Sequence, residues 1–307
     1  MPELPEVEVV RSGLAQHTTG ARFCNVEVLH PRANRGQEFP LPGLLHGTVI
    51  KQWCRRGKFL WAELTDGQAL YVHLGMSGQM LVGKPGQVTS KHLRIRAELE
   101  VPSASGDAAD ATASRAGTAD HRATSVDRAT GVDKRELAFV DQRTFGRWLV
   151  CEFSEEKPDL PEPAAHIAPD PFSPDFDLLA AARAVRKRRS AVKSVLLNQE
   201  IVSGIGNIYA DEALWAAQIH PATPANKLLQ RQAVALLEAA HDVMSRALDA
   251  GGTSFDALYV NVNGGSGYFE RSLNAYGQTG KPCLRCGNEI TRIVINKRSS
   301  HFCAVCQ

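Results

Sequence analysis

The sequence predicts an α+β fold in three successive parts: a β-sandwich domain opened by a helix, a helical domain, and a cysteine-rich β-hairpin tail. Three observations carry that expectation. Short alternating segments fill the first half, helical periodicity fills most of the second, and four of the seven cysteines crowd the C-terminus. At 307 residues the chain is long enough for two domains with cores of their own.

The chain opens MPELPEVE, two prolines and three carboxylates in eight residues. Val7, Val10 and Leu14 follow at helical spacing and the pattern stops near Gly20. Pro5 suits the first helical turn, with Glu6 and Glu8 near its positive end. Next come FCNVEVLH, TVIKQWCRRGKFLWAELT, ALYVHLGMSGQMLVG and LRIRAELEV, separated by Gly, Pro and Asp-Gly. That alternation predicts an antiparallel sandwich or flattened barrel over residues 1–152. Residues 102–135 break the pattern: they hold no Phe, Trp or Tyr, and Val126 and Val132 are their only large aliphatics. Such a segment buries too little to offset chain entropy, so a disordered insertion is expected there. ELAFVDQRTFGRWLVCEF then resumes the strands.

A proline-rich linker is expected over residues 153–172, and a helical domain over 173–270. DLLAAARAVRKR, SAVKSVLLNQE, NIYADEALWAAQ and KLLQRQAVALLEAAHDVMSRALDAG supply its helices, the last stopped at Gly251-Gly252. Residues 271–307 form the tail. No stretch approaches ~18 consecutive apolar residues and no basic-then-apolar leader is present. A cytoplasmic location and no membrane attachment are therefore expected. Cys24, Cys54 and Cys151 are then free core thiols.

The net charge of +2 is ordinary, but its distribution is not. AARAVRKRRSAVK carries Arg183, Arg186, Lys187, Arg188, Arg189 and Lys193 without an acid. From Arg271 onward six cations face one acid, Glu289. Such asymmetry suits a polyanionic partner, and solvated surface charge is the plainer alternative.

In the tail, Cys283-x-x-Cys286, sixteen residues, then Cys303-x-x-Cys306 has the spacing of a four-thiolate zinc site. Two disulfides are the alternative, but they go with a secretory signal that the sequence lacks. Four thiolates leave no position for water, so the zinc is read as structural and as the source of the module's folding energy. Lys297 and Arg298 then lie on the hairpin. Upstream, Ser203-Gly204-Ile205-Gly206-Asn207 separates two helical patterns: a tight turn between helices, or a backbone clamp for phosphate.

Together PELPEVE, RGKFL, HLGMSG, QRTFG, GIGNIYADE and the four-cysteine hairpin resemble the bacterial formamidopyrimidine-DNA glycosylases, in that family's order and over nearly the whole chain. The resemblance implies a helix-two-turn-helix DNA-binding domain and a C-terminal zinc finger holding one structural Zn2+. It implies excision of oxidised purines, chiefly 8-oxoguanine and formamidopyrimidines, and strand cleavage by β,δ-elimination. The partner implied is damaged double-stranded DNA, bound by a monomer. Met1 is removed, Pro2 is the nucleophile, Glu3 shuttles protons and Lys58 assists. Glu6 orients the N-terminus or relays protons. His73, Asn207, Tyr276 and Arg298 are the implied phosphate contacts, with Lys193 and His92 as further candidates. Met76, Arg143 and Phe145 fill the void left by an everted nucleotide.

Departures from the family pattern are local. Asp141-Gln142-Arg143-Thr144-Phe145-Gly146 lacks a proline and a second arginine, and Lys91-His92-Leu93-Arg94 keeps one histidine of two. DALYVNVNGGSGYFE occupies the place of the loop that closes over the everted base. Two rivals stand beside this reading. The endonuclease VIII-like branch is disfavoured by Leu4 and by Arg143 and Phe145 sharing a loop. A non-catalytic DNA-binding protein is disfavoured by Pro2, Glu3 and Lys58 all being present.

Overall fold

The structure, a computed structural model, describes residues 2–102, 132–251 and 272–307. Helix α1 (Leu4–Thr18) begins where the Glu6 carboxylate accepts the Glu3 backbone N–H at 2.9 Å, closing the first turn on itself. It ends before Gly20, whose φ of +79° turns the chain away. Val7, Val10 and Leu14 enter the core of the first domain, while Leu4 enters that of the second. One helix thus pins the N-terminus between two cores.

The first domain is a sandwich of two four-stranded antiparallel sheets. One has the order β1-β6-β7-β5, with β1 Arg22–Val28, β5 Gly78–Gly83, β6 Leu93–Pro102 and β7 Val132–Asp141. The other has the order β2-β3-β4-β8, with β2 Ile50–Arg56, β3 Phe59–Leu64, β4 Ala69–His73 and β8 Arg147–Cys151. Period-two burial is cleanest on β6, where Leu93, Ile95, Ala97 and Leu99 are buried in alternation. Ile95, Ala97 and Leu99 meet Phe23, Phe139 and Trp148 between the sheets. A short helix α2 (Leu41–Leu45), which no periodicity announced, caps one end with Leu41 and Leu45.

One expectation needs correction. The ladder β6–β7 continues through Leu99↔Arg135 to Pro102↔Val132, so residues 132–135 are strand and not insertion. Their polar side chains hid this, because main-chain pairing holds them. Arg135 also donates to the His17 carbonyl at 2.7 Å. Residues 103–131, the rest of the expected insertion, lie outside the described residues. The linker packs on the first domain: Leu160, Ala164 and Ile167 are buried against Trp61, Tyr71 and Leu149 on the outer face of a sheet.

The second domain packs α3 (Leu178–Arg186), α4 (Val192–Leu196), α5 (Asn207–Ala216) and α6 (Gln230–Asp249) around one apolar cluster. The tail hairpin, β9 (Ile290–Ile295) and β10 (Arg298–Cys303), turns through Asn296 and Lys297, both at positive φ. Arg285 lies over the Trp215 ring at 4.2 Å and Phe302 meets His220 edge-on, fixing the tail to the end of α5. No helix among the described residues is long and apolar enough to cross a membrane. Cys54 and Cys151 are half-buried, and burial pushes each thiol up to about 12, which leaves them unreactive near neutrality.

Candidate active site at the N-terminal proline

Pro2 is buried where α1 meets α5, and Met1 lies outside the described residues. Beside it the Glu3 carboxylate, 3% exposed, sits on the N-terminus of α5. It accepts N–H bonds from Gly206 at 2.6 Å, Ile208 at 2.8 Å and Tyr209 at 3.3 Å. Three otherwise orphaned helix amides and the helix dipole thus fix its position. Leu4 N–H adds a 3.0 Å bond to the Gly204 carbonyl. The glycines exist for this approach: a Cβ on Gly206 would overlap the Glu3 carboxyl, and one on Gly204, at φ +91°, would strike Leu4. Gly206→Ala is therefore expected to displace Glu3, lower stability by about 1–3 kcal/mol and remove activity. A melting curve with a turnover assay checks both.

Glu6 holds the same corner. One oxygen takes the Glu3 N–H and the other the Tyr209 hydroxyl at 2.8 Å. This geometry favours the orienting role over the relay. Lys58 arrives on the β2–β3 turn, where Gly57 (φ +56°) donates to Asp170 at 2.8 Å and leaves no room for a Cβ against Ser203. Burial pushes the Glu3 carboxyl up from its ordinary value; the Lys58 ammonium opposes this and the Glu6 charge adds to it. Burial pushes the Lys58 ammonium down, opposed by Glu3 and Glu6 and reinforced by Arg298. A carboxyl readier to hold a proton and an amine readier to lose one thus lie within each other's field.

Two adjacent loops carry the expected void-filling residues. Met76 and Phe145 are 41% and 44% exposed, unusual for large apolar side chains, and Arg143 reaches the Met76 sulfur at 3.7 Å. Buried Asp141 builds their support, accepting from Ser77, from Arg143 N–H at 3.1 Å and from Gly146 N–H at 2.7 Å. Arg35 donates to the Phe145 and Gly146 carbonyls from the other side. His92 stands behind this loop, its carbonyl accepting Asp141 N–H. His73 ends β4; burial, then the Arg147 and Arg35 charges, push its pKa down, so it is neutral near pH 7.

Asn207 opens α5 beside the Tyr276 hydroxyl. Arg298 is exposed at the start of β10, within electrostatic reach of Lys58. Lys193 is different. Its side chain is fully buried and donates to Asp211 at 2.6 Å and to the Ser299 carbonyl at 2.5 Å, so it is turned into the protein and not toward the surface where phosphate was expected to meet it. Sequence reasoning also missed Asp211 and Glu212. Glu212 accepts the N–H groups of Asn274, Ala275 and Tyr276, and Asp211 holds β10. The signals were two adjacent acids in a mostly apolar helix and their place in the GIGNIYADE motif.

The sulfurs of Cys283, Cys286, Cys303 and Cys306 lie within 4.8 Å of one another, and none of the seven cysteines is disulfide-bonded. Zn–S bonds of about 2.3 Å in a tetrahedron put sulfurs roughly 3.8 Å apart, so the quartet fits one zinc with small adjustment. Trp215 N–H points at the Cys283 sulfur at 3.4 Å, as suits a thiolate ligand. The metal is structural, with no fifth donor or open edge required.

The fold and site define a protein of two domains and a zinc-finger tail, with Pro2 buried beside a carboxylate seated on a helix end. Three family profiles match in order: the formamidopyrimidine-DNA glycosylase N-terminal domain over residues 1–148, its H2TH domain over 167–258, and the zinc finger found in FPG and IleRS over 280–307. Formamidopyrimidine-DNA glycosylases of Rhodococcus opacus and Corynebacterium aurimucosum are 50% and 49% identical, covering all of this chain and 97% and 96% of theirs. A Lactococcus lactis Fpg complex with abasic-site DNA superposes with a TM-score of 0.77 at 29% identity over 99% of both chains. The same organism's wild-type enzyme with oxidised-pyrimidine DNA gives 0.79 at 30%, over 100% and 99%. The chain belongs to the formamidopyrimidine-DNA glycosylase family.

Proposed function

We propose that this chain is a bifunctional DNA glycosylase and AP lyase of base excision repair, acting on 8-oxoguanine opposite cytosine and on formamidopyrimidines. The observation that carries this reading is the seating of Glu3 on the N-terminus of α5 beside Pro2, within the field of Lys58. Once Met1 is removed, Pro2 bears a secondary α-amine. An α-amino pKa near 8 leaves a usable neutral fraction at neutral pH. The amine attacks C1′ of the damaged nucleotide; the C1′–N bond breaks and the base leaves with a proton. Ring opening gives an iminium that draws electrons from C2′, so a C2′ proton is lost and the 3′ phosphate departs. A second elimination releases the 5′ phosphate, and water frees the enzyme. Glu3 carries protons to and from the sugar, and Lys58 serves phosphate and carboxyl.

His73, Asn207, Tyr276 and Arg298 grip the backbone around the everted nucleotide. Phe145 and Met76 occupy the vacated stack, and Arg143 meets the orphaned cytosine. The working units are residues 1–152, 173–270 and 271–307. The bacterial cytoplasm, at the nucleoid, is the place this chemistry requires. Oxidised pyrimidines form a secondary substrate class, as the neighbouring complex with such DNA suggests. The segment expected to close over the base lies outside the described residues.

The test uses zinc-loaded protein lacking Met1 and an end-labelled duplex with 8-oxoguanine opposite cytosine. The expected product is a one-nucleotide gap with phosphate at both ends. An intact strand at excess enzyme would overturn the reading.

A further inference from the structure

We propose that Lys193 and Asp211 form an internal clasp that sets the position of Arg298, and that Lys193 is a positioning residue and not a phosphate ligand. Every acceptor site of the Asp211 carboxylate is used inside the protein. Oδ1 takes the Lys193 ammonium at 2.6 Å and the Ser300 hydroxyl at 2.9 Å. Oδ2 takes the His301 backbone N–H at 2.8 Å and faces the His301 ring nitrogen at 3.0 Å. Lys193 continues to the Ser299 carbonyl, the residue that follows Arg298. Both side chains are essentially inaccessible. The clasp joins α4, α5 and β10 at one point, and α5 is also the helix whose N-terminal amides seat Glu3.

A buried ion pair held by further hydrogen bonds fixes a geometry more than it adds stability, and removing one partner strands a charge. The hairpin has two separate fastenings. Zinc closes its base at the four cysteines, while the clasp fixes the strand on which Arg298 rides. Asn296 adds a 2.7 Å contact to Ser194 beside the turn.

The inference rests on the DNA-binding reading for its consequence, though not for its geometry. The decisive variant is Asp211→Asn, assayed against a duplex bearing a tetrahydrofuran abasic analogue, with zinc content and amide exchange measured alongside. If Lys193 were a phosphate ligand, loss of its internal partner would free it, and Asp211→Asn would bind DNA as well as wild type or better. The clasp predicts affinity at least about tenfold weaker, one zinc per chain retained, and faster exchange of the His301 amide. In an Arg298→Ala background the same change should cost under about twofold, because its effect passes through Arg298. Lys193→Met should weaken binding in the same direction as Asp211→Asn, and the double variant should be no worse than the weaker single. Wild-type affinity in Asp211→Asn, equal losses with and without Arg298, an unchanged His301 amide, or loss of zinc would each overturn it. A wild type that fails to bind the duplex while the amide result holds removes the DNA reading alone.

Discussion

Glu3→Gln is expected to reduce base excision by about 10²–10⁴-fold, the usual contribution of a positioned acid–base group, while duplex affinity changes little. The carboxylate accepts three backbone N–H groups. Glutamine supplies one oxygen and one amino group, and the amino group would face an N–H donor. That mismatch costs about 1–3 kcal/mol, so the melting point falls with the activity. The sign of the pH effect follows from the environment. Burial raises the Glu3 pKa and Lys58 lowers it, so the carboxyl limb of the wild-type rate profile should lie above the ordinary glutamate value. Lys58→Met removes the lowering charge and should move that limb to still higher pH. The folded state holds the Glu3 proton more tightly than the unfolded chain. Its contribution to stability is therefore present below the ordinary glutamate pKa and lost as pH rises through the folded value. Single-turnover rates across pH for wild type and both variants check the prediction; a limb moving down in Lys58→Met would contradict it.

Removing the metal should have the next largest effect. Cys283, Ile290 and Cys303 are the buried residues of the hairpin's cluster, with Trp215 and Cys306 packed on it. So small a core does not hold a fold, and metal coordination must. Cys283→Ser or chelation is expected to weaken duplex binding by on the order of 100-fold or more, since structural zinc supplies folding energy outright. The sandwich should melt as before, its core lying between its own two sheets. Unchanged affinity after zinc loss verified by metal analysis would refute this.

Much of this architecture was legible in local pattern. The α1 stripe of Val7, Val10 and Leu14, the alternation on β6 and the paired Cys-x-x-Cys turns each depend on neighbours a few residues away, which a sequence displays directly. The N-terminal motif pointed to Pro2 and Glu3, yet the reason Glu3 stays in place is a helix end more than 200 residues on. The surroundings of Lys193 were hidden for the same reason. Within a basic run a lysine looks like a phosphate ligand, and only the fold brings Asp211 beneath it. Asp141 and Glu212, which hold the loops bearing Phe145 and Tyr276, satisfy backbone amides and leave no periodic trace. Residues 132–135 misled by composition, because charged segments still order when a sheet offers a free edge.

The central claim is that the Pro2 amine attacks C1′ under the control of Glu3. Borohydride trapping on a duplex with 8-oxoguanine opposite cytosine tests it most directly. The account predicts a covalent protein–DNA adduct through the N-terminal residue, absent from Pro2→Gly and from protein that retains Met1. A wild-type protein that binds the duplex with its zinc in place but never traps would contradict it.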